Sequence, residues 1–413
     1  MAMKARLLLS AVLVLAAVWL VSCGHYVCST TFGASTCTPS GGGISGGGGT
    51  SAATAYAFVD VGGTIDELGL DTTAGTLLTP TGYIGPTTPN VSGWGMVVAQ
   101  GQYLYTAFPG VGQIYGYTLS SGGALTAIGG TPVNAPYMIG STLAGLQGMI
   151  TNPAGTLLFV LNQSGDAVYV YQIGAGGALT AAGSVILPFL PENMATDGLG
   201  KYLYVTSAST DTSVTPAIAA YSISSSGSLT AVSGSPFSGN VGGILNAYGM
   251  LQVEGDPSGK YLIGTTSAVI GDNHLYVFNI QQTGATAGAI TPVSGSPFAT
   301  VYSPYRIAVQ PNTGGIFVYS FSLNGLGTGD NPIEGYQLNT STGALTPITG
   351  SPFAAGSVTG DSGQFDQSGT YLFVLNSATT TMGVYNVGTT GNLTQPVASV
   401  GFFDQAWTVS DAP

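Results

Sequence analysis

One feature constrains this chain more than any other: a unit of four short β-strand signals that returns along most of its length. Its first half reads Asp256-Pro-Ser-Gly-Lys-Tyr-Leu-Ile. Counterparts are Asn152-Pro-Ala-Gly-Thr-Leu-Leu-Phe-Val, Asp197-Gly-Leu-Gly-Lys-Tyr-Leu-Tyr-Val and Asp366-Gln-Ser-Gly-Thr-Tyr-Leu-Phe-Val. Each is a tight turn of Asp, Asn, Pro and Gly followed by an aromatic and aliphatic strand, so strand, turn and strand make a hairpin. The second half is clearest at Tyr221-Ser-Ile-Ser-Ser-Ser-Gly-Ser-Leu-Thr-Ala-Val-Ser-Gly-Ser-Pro-Phe. Alternation such as Tyr336 and Leu338 against Gln337 and Asn339 has the period of two that a half-buried strand requires. The proline after the outer strand, at Pro236, Pro297 and Pro352, suits an edge that needs no donor there.

The Leu-Thr landmark of the unit falls at Leu78, Leu125, Leu179, Leu229, Ile290, Leu345 and Leu393, which is seven copies. The two ends of the repeat region are complementary halves. Ala55-Tyr-Ala-Phe-Val matches a second strand, and Ala406-Trp-Thr-Val-Ser-Asp matches a first strand and its turn. Joined, they build one blade and leave no open sheet edge around a ring. An open solenoid gives no reason for such halves. The expected fold is therefore all-β: a seven-bladed β-propeller of four-stranded antiparallel blades over residues 54–413, closed by strands from both termini.

The N-terminus reads as an export signal. Lys4 and Arg6 precede an apolar run from Leu7 to Val21, too short to span a membrane comfortably. Residues 1–22 are expected to be removed. Leu20-Val21-Ser22-Cys23 resembles the lipobox of bacterial lipoproteins, which implies lipidation of Cys23 and an exported protein tethered to the cell envelope. Residues 23–53 then form the anchor and a tether whose Gly, Ser, Thr and Ala cannot bury enough apolar surface to order themselves. Cys28 and Cys37 remain as an even pair that an oxidising compartment allows to bond, although spacing does not decide it. The histidines are only His25 and His274, so no metal site and no cofactor are expected. Seventeen acids against five Lys and Arg argue against nucleic acid and anionic membrane surfaces. The expected membrane contact is the lipid anchor alone, the expected ligand a small molecule, glycan or protein at the channel mouth, and the expected state a monomer.

The strand motifs carry a family resemblance. Tyr-Leu-Tyr-Val-Thr-Ser at 202–207 and Leu-Phe-Val-Leu-Asn at 158–162 and 372–376 resemble YVTN-type repeats. The whole unit, with Gly-x-Leu-Thr-x-x-x-Gly-Ser-Pro-Phe, is similar to the seven-bladed lactonase-like family, which includes bacterial 6-phosphogluconolactonases and fungal carboxy-muconate cyclising enzymes. The resemblance implies the fold. These are strand and turn residues, and they do not carry an activity across.

In propellers the segments entering the innermost strand form the usual ligand mouth. Counting eight residues back from each turn glycine gives Gln147, Glu192, Leu251, Arg306 and Asp361, with Trp94 and Trp407 near the equivalent spots in the other two blades. Beyond Arg6 the cations are Lys201, Lys260 and Arg306. Both lysines sit in turns at the opposite end of the blade, whereas Arg306 falls at the mouth. With Glu192 and Asp361 it supplies the types a lactone hydrolase needs, a base for water and a positive group for the developing oxyanion. Trp94, Gln147 and Trp407 are the candidate ligand contacts. Two functions follow. Few catalytic residue types, low charge and an export signal favour an envelope binding and interaction module. The alternative is a lactonase-like hydrolase opening a sugar or related lactone.

Overall fold

The computed structural model describes residues 22–23, 26–31, 34–39, 53, 55–61, 64–71, 76–78, 83–84, 95–108, 112–134, 148–163, 165–208, 216–238, 250–266, 272–312, 315–322, 332–353, 362–376, 381–394, 399–401 and 407–411. The chain divides into two units, Met1–Thr50 and Ser51–Pro413. In the first, Ser22–Cys23, Tyr26–Thr31 and Ala34–Pro39 form a three-stranded antiparallel sheet in which Cys28 and Cys37 are direct Cα partners. Sequence reading did not foresee this sheet. The apolar run from Leu7 to Val21 and the glycines at 41–43 and 46–49 lie outside the described residues. Among the described residues no helix is long and apolar enough to cross a membrane.

The second unit is the propeller. Its blades have inner strands at Gly95–Ala99, Met149–Thr151, Pro191–Thr196, Met250–Gly255, Pro304–Val309, Ser362–Phe365 and Trp407–Asp411, here blades 1 to 7. In each, three further antiparallel strands follow outward. The inner strand of each blade contacts that of the next, and the Trp407–Asp411 strand touches those of blades 6 and 1. Blade 7 has the expected split origin. Trp407 pairs with Val59 and Asp411 with Ala55, so the C-terminal strand lies inside the N-terminal Ala55–Val61. The seven-bladed ring closes through backbone hydrogen bonds, as the complementary termini required.

Seven apolar clusters hold the ring, one at each seam. The seam between blades 3 and 4, for example, packs Tyr204, Ile218 and Val232 against Met250, Leu262 and Tyr276. Dispersion and the removal of apolar surface from water drive this packing, and alternation along each strand supplies it. Polar motif residues have local tasks. Oδ1 of Asp197 accepts the N–H groups of Lys201 and Tyr202 at 2.6 and 2.7 Å, which closes the turn below the inner strand. In Gly-Ser-Pro-Phe, the Oγ of Ser235, Ser296 and Ser351 accepts an N–H from the third strand, at Ala220, Val277 and Gly335. The phenylalanine then pairs back onto that strand. The outer-hairpin glycine is required twice over. Gly288 has φ +89°, and a Cβ there would lie 2.4 Å from Tyr202, whose neighbour Tyr204 donates its hydroxyl to the Gly288 carbonyl at 3.0 Å.

Candidate functional site

Neighbouring inner strands are joined by side chains rather than by a backbone ladder. Asn193 of blade 3 accepts Val253 N–H of blade 4 at 3.0 Å. Gln252 of blade 4 accepts Ile307 N–H of blade 5 at 2.9 Å and donates to its carbonyl at 3.1 Å. Glu254 accepts Val309 N–H at 2.9 Å and the Gln252 amide at 2.7 Å. Gln364 of blade 6 donates to the Trp407 carbonyl at 3.2 Å. These stitches satisfy backbone groups of the neighbouring inner strands.

Asn193, Gln252 and Arg306 share one row, each four residues before the residue that opens the turn, Asp197, Asp256 or Gln310. Glu192 precedes that row by one, beside Leu251 and Tyr305. Sequence counting set Arg306 level with Glu192 and Leu251, and the structure corrects this. The blade 5 turn is longer: Gln310 N–H bonds Phe317 O, seven residues on, whereas Asp366 N–H bonds Tyr371 O, five residues on. The extra residues shift the count. In blades 3, 4 and 5 the pairing to the second strand skips Glu192, Leu251 and Tyr305 respectively. Such a bulge turns the extra residue away from the regular alternation.

Glu192 is 5% exposed and its Oε1 makes no hydrogen bond. Burial pushes its carboxyl up to about 7, while the charge of Arg306 pulls in the opposite direction. Arg306 is buried, with its guanidinium carbon 4.6 Å from the centre of the Tyr305 ring. The backbone beside it is held from blade 4, since Gln252 holds the N–H and the carbonyl of the adjacent Ile307. The inner strands of blades 3 and 5 thus combine a buried carboxyl raised to about 7 with a buried cation whose field reaches it.

Trp407 serves another purpose. It is 6% exposed and packs with Ala57, Val59, Phe373, Leu375 and Val384 in the core between blades 6 and 7. Its ring packs in the seam. Trp94, Gln147 and Asp361 lie outside the described residues. Lys201 and Lys260 are exposed in turns at the far end of their strands. Sequence reading missed Asn193, Gln252 and Glu254. Burial pushes the Glu254 carboxyl up to about 8, against its bonds to Val309 and Gln252. Among the described residues no group of His, Cys, Asp and Glu is arranged to hold a metal ion.

Comparison with known proteins follows the same line. No protein-family model matches the chain. One stretch of 104 residues is 35% identical to the 6-phosphogluconolactonase of Erwinia tasmaniensis, covering 25% of this chain and 29% of that protein. A stretch of 237 residues is 28% identical to the 6-phosphogluconolactonase of Serratia proteamaculans, covering 54% of this chain and 62% of that one. The chain therefore matches less than two thirds of either relative. The structure of the periplasmic gluconolactonase of Pseudomonas aeruginosa superposes with a TM-score of 0.59 at 15% identity, over 87% of this chain and all of that one. At such identity the likeness shows the fold. The class so defined is a seven-bladed β-propeller. In sequence, parts of the chain are similar to these two proteins named 6-phosphogluconolactonase.

Proposed function

We propose that the protein is a lactonase-type ester hydrolase acting at the channel mouth on an unphosphorylated sugar lactone. Two relatives named as lactonases favour this reading over the binding module. The observation that carries it is Glu192, a buried carboxyl raised to about 7 with an unbonded oxygen, beside the charge of Arg306. A general base works best with a pKa near the working pH. Ionised Glu192 takes a proton from water as the hydroxide adds to the lactone carbonyl. Arg306 faces the negative charge that develops on the carbonyl oxygen. Collapse breaks the ring C–O bond, and the proton passes from Glu192 to the leaving alkoxide, giving the open hydroxy acid. The remaining propeller lysines are at the other end of the blades, and one cation at the mouth suits a sugar lactone without a phosphate.

The test is turnover of a lactone panel by the full chain, with Glu192→Gln and Arg306→Ala. Each change is expected to lower kcat at least about 100-fold, and wild-type kcat/KM should rise with pH through about 7. Turnover equal in all three proteins overturns the roles given to Glu192 and Arg306, and turnover absent on every lactone leaves the binding module as the function.

We also propose that the protein is exported and lipid-anchored at Cys23. Mass measurement of the mature N-terminus, with and without reduction, tests this together with a Cys28–Cys37 bond, which the Cα pairing of the two residues supports.

A further inference from the structure

Residues 300–303 cross the mouth side of the seam between blades 4 and 5. The segment leaves Ala299, which pairs with His274, and enters Pro304, the first residue of the strand that carries Arg306. It is firmly held. Buried Glu334 accepts Val301 N–H on Oε1 at 2.8 Å and Tyr302 N–H on Oε2 at 3.5 Å. Thr300 N–H donates to the Asn273 carbonyl at 2.8 Å, Asn273 Nδ2 to the Val301 carbonyl at 3.4 Å, and Ser303 Oγ to the Asp272 carbonyl at 3.2 Å. Yet this fixed segment turns apolar side chains outward, with Val301 62% and Tyr302 37% exposed. The link between blades 2 and 3 does the reverse, burying Leu187 and Phe189 in its seam. Packing does not explain the difference.

His274 stands next to the segment. Its Nδ1 faces Asp272 Oδ1 at 2.7 Å, while Asp272 Oδ2 accepts the hydroxyls of Thr266 and Tyr276, both at 2.7 Å. An imidazole nitrogen facing a carboxylate oxygen donates to it, which fixes the ring and leaves Nε2 for an outside partner. The His274 side chain is 30% exposed.

We propose that Tyr302, Val301 and His274 form a sugar-binding lip extending the lactone site, so that the substrate is an aldonolactone carrying at least one further sugar. This rests on the lactonase reading. A sugar ring offers an apolar face to an aromatic ring and hydroxyls to an imidazole, which is the mixture present here. The groups behind the lip are carboxylates, Glu334 and Asp272, which disfavour a phosphate, and a bare acyl chain would leave His274 Nε2 unused. Tyr302 and Arg306 are four residues apart, at most about 14 Å along an extended chain, within reach of one disaccharide.

The probes are glucono-δ-lactone and cellobiono-δ-lactone, compared by kcat/KM in the full chain. The wild type is expected to prefer the disaccharide lactone, and Tyr302→Ala to lower the ratio of the two kcat/KM values about tenfold. Turnover of both lactones with a ratio untouched by Tyr302→Ala overturns the lip and leaves the lactonase standing. Calorimetric binding of cellobionate reads the lip without turnover. If it binds, and Tyr302→Ala weakens it about tenfold while no lactone is hydrolysed, the lip stands and the lactonase falls. No binding and no turnover removes both.

Discussion

Glu192→Gln tests the site through stability, independently of any substrate. Gln keeps the size and shape of the protonated side chain and cannot ionise. In the folded protein burial raises the Glu192 carboxyl from an ordinary 4.5 to about 7. A carboxyl raised on folding holds its proton more tightly in the native state, so its contribution is full below the unfolded value and lost as pH rises through 7. A shift of about 2.5 units corresponds to about 3 kcal/mol at most. Other raised carboxyls, such as Glu67 at about 7 and Glu254 at about 8, bend the wild-type curve in the same direction. The informative quantity is therefore the difference between variant and wild type, measured by urea unfolding at successive pH values. Glu192→Gln should differ from wild type by under about 1 kcal/mol near pH 5 and exceed it by roughly 2–3 kcal/mol at pH 8. Two parallel curves would mean that Glu192 titrates as an ordinary exposed carboxyl, and the argument for a poised base would fail.

Three further outcomes are expected. Gly288→Ala places a Cβ 2.4 Å from Tyr202 at φ +89° and should cost about 3 kcal/mol or more, whereas Gly284→Ala, at φ +88° with nothing within 4 Å, should cost only about 1 kcal/mol, both read by urea unfolding. Gln252→Ala removes both bonds to Ile307 and should lose about 2 kcal/mol of stability and lower kcat more than it raises KM, because Arg306 loses its anchor. Ending the chain at residue 406 removes the inner strand of blade 7, Trp407–Asp411, and should replace one cooperative thermal transition by a broad, early one in calorimetry.

The blades were legible in the sequence because each repeats the same physical demands: a capped turn, an alternating strand, a glycine at positive φ under an aromatic ring. The site was only partly legible, since on an inner strand one residue decides between the channel and a seam. Arg306 was placed one row out because the blade 5 turn carries extra residues that a count from the glycine absorbs silently. Trp407 has the composition of a sugar platform, yet its position on the strand aims it into the same kind of seam core as Met194, Val253 and Ile307. Glu254 lies two residues beyond Gln252, on the same side of the strand, and alternation alone could have found it. The bulges at Glu192, Leu251 and Tyr305 have no sequence signature, because they arise from pairing with a strand elsewhere in the blade.

What repeats around the ring is what the ring needs, so departures from the repeat carry the information about function. Asn193 and Gln252 show the stabilising choice at their row, a neutral amide that bonds the next strand's backbone. Blade 5 puts Arg306 there instead, a cation in a chain with only three Lys and Arg residues after Arg6. One position earlier, blade 5 buries the aromatic Tyr305 at the bulged site, whereas blade 3 buries a carboxyl with one oxygen unbonded. Burying an acid with an unbonded oxygen costs stability. The two depart within reach of each other's charge, which a pair of unrelated surface substitutions would not do. On the lactonase reading proposed above, stability is spent where a base and a cation would act on one substrate.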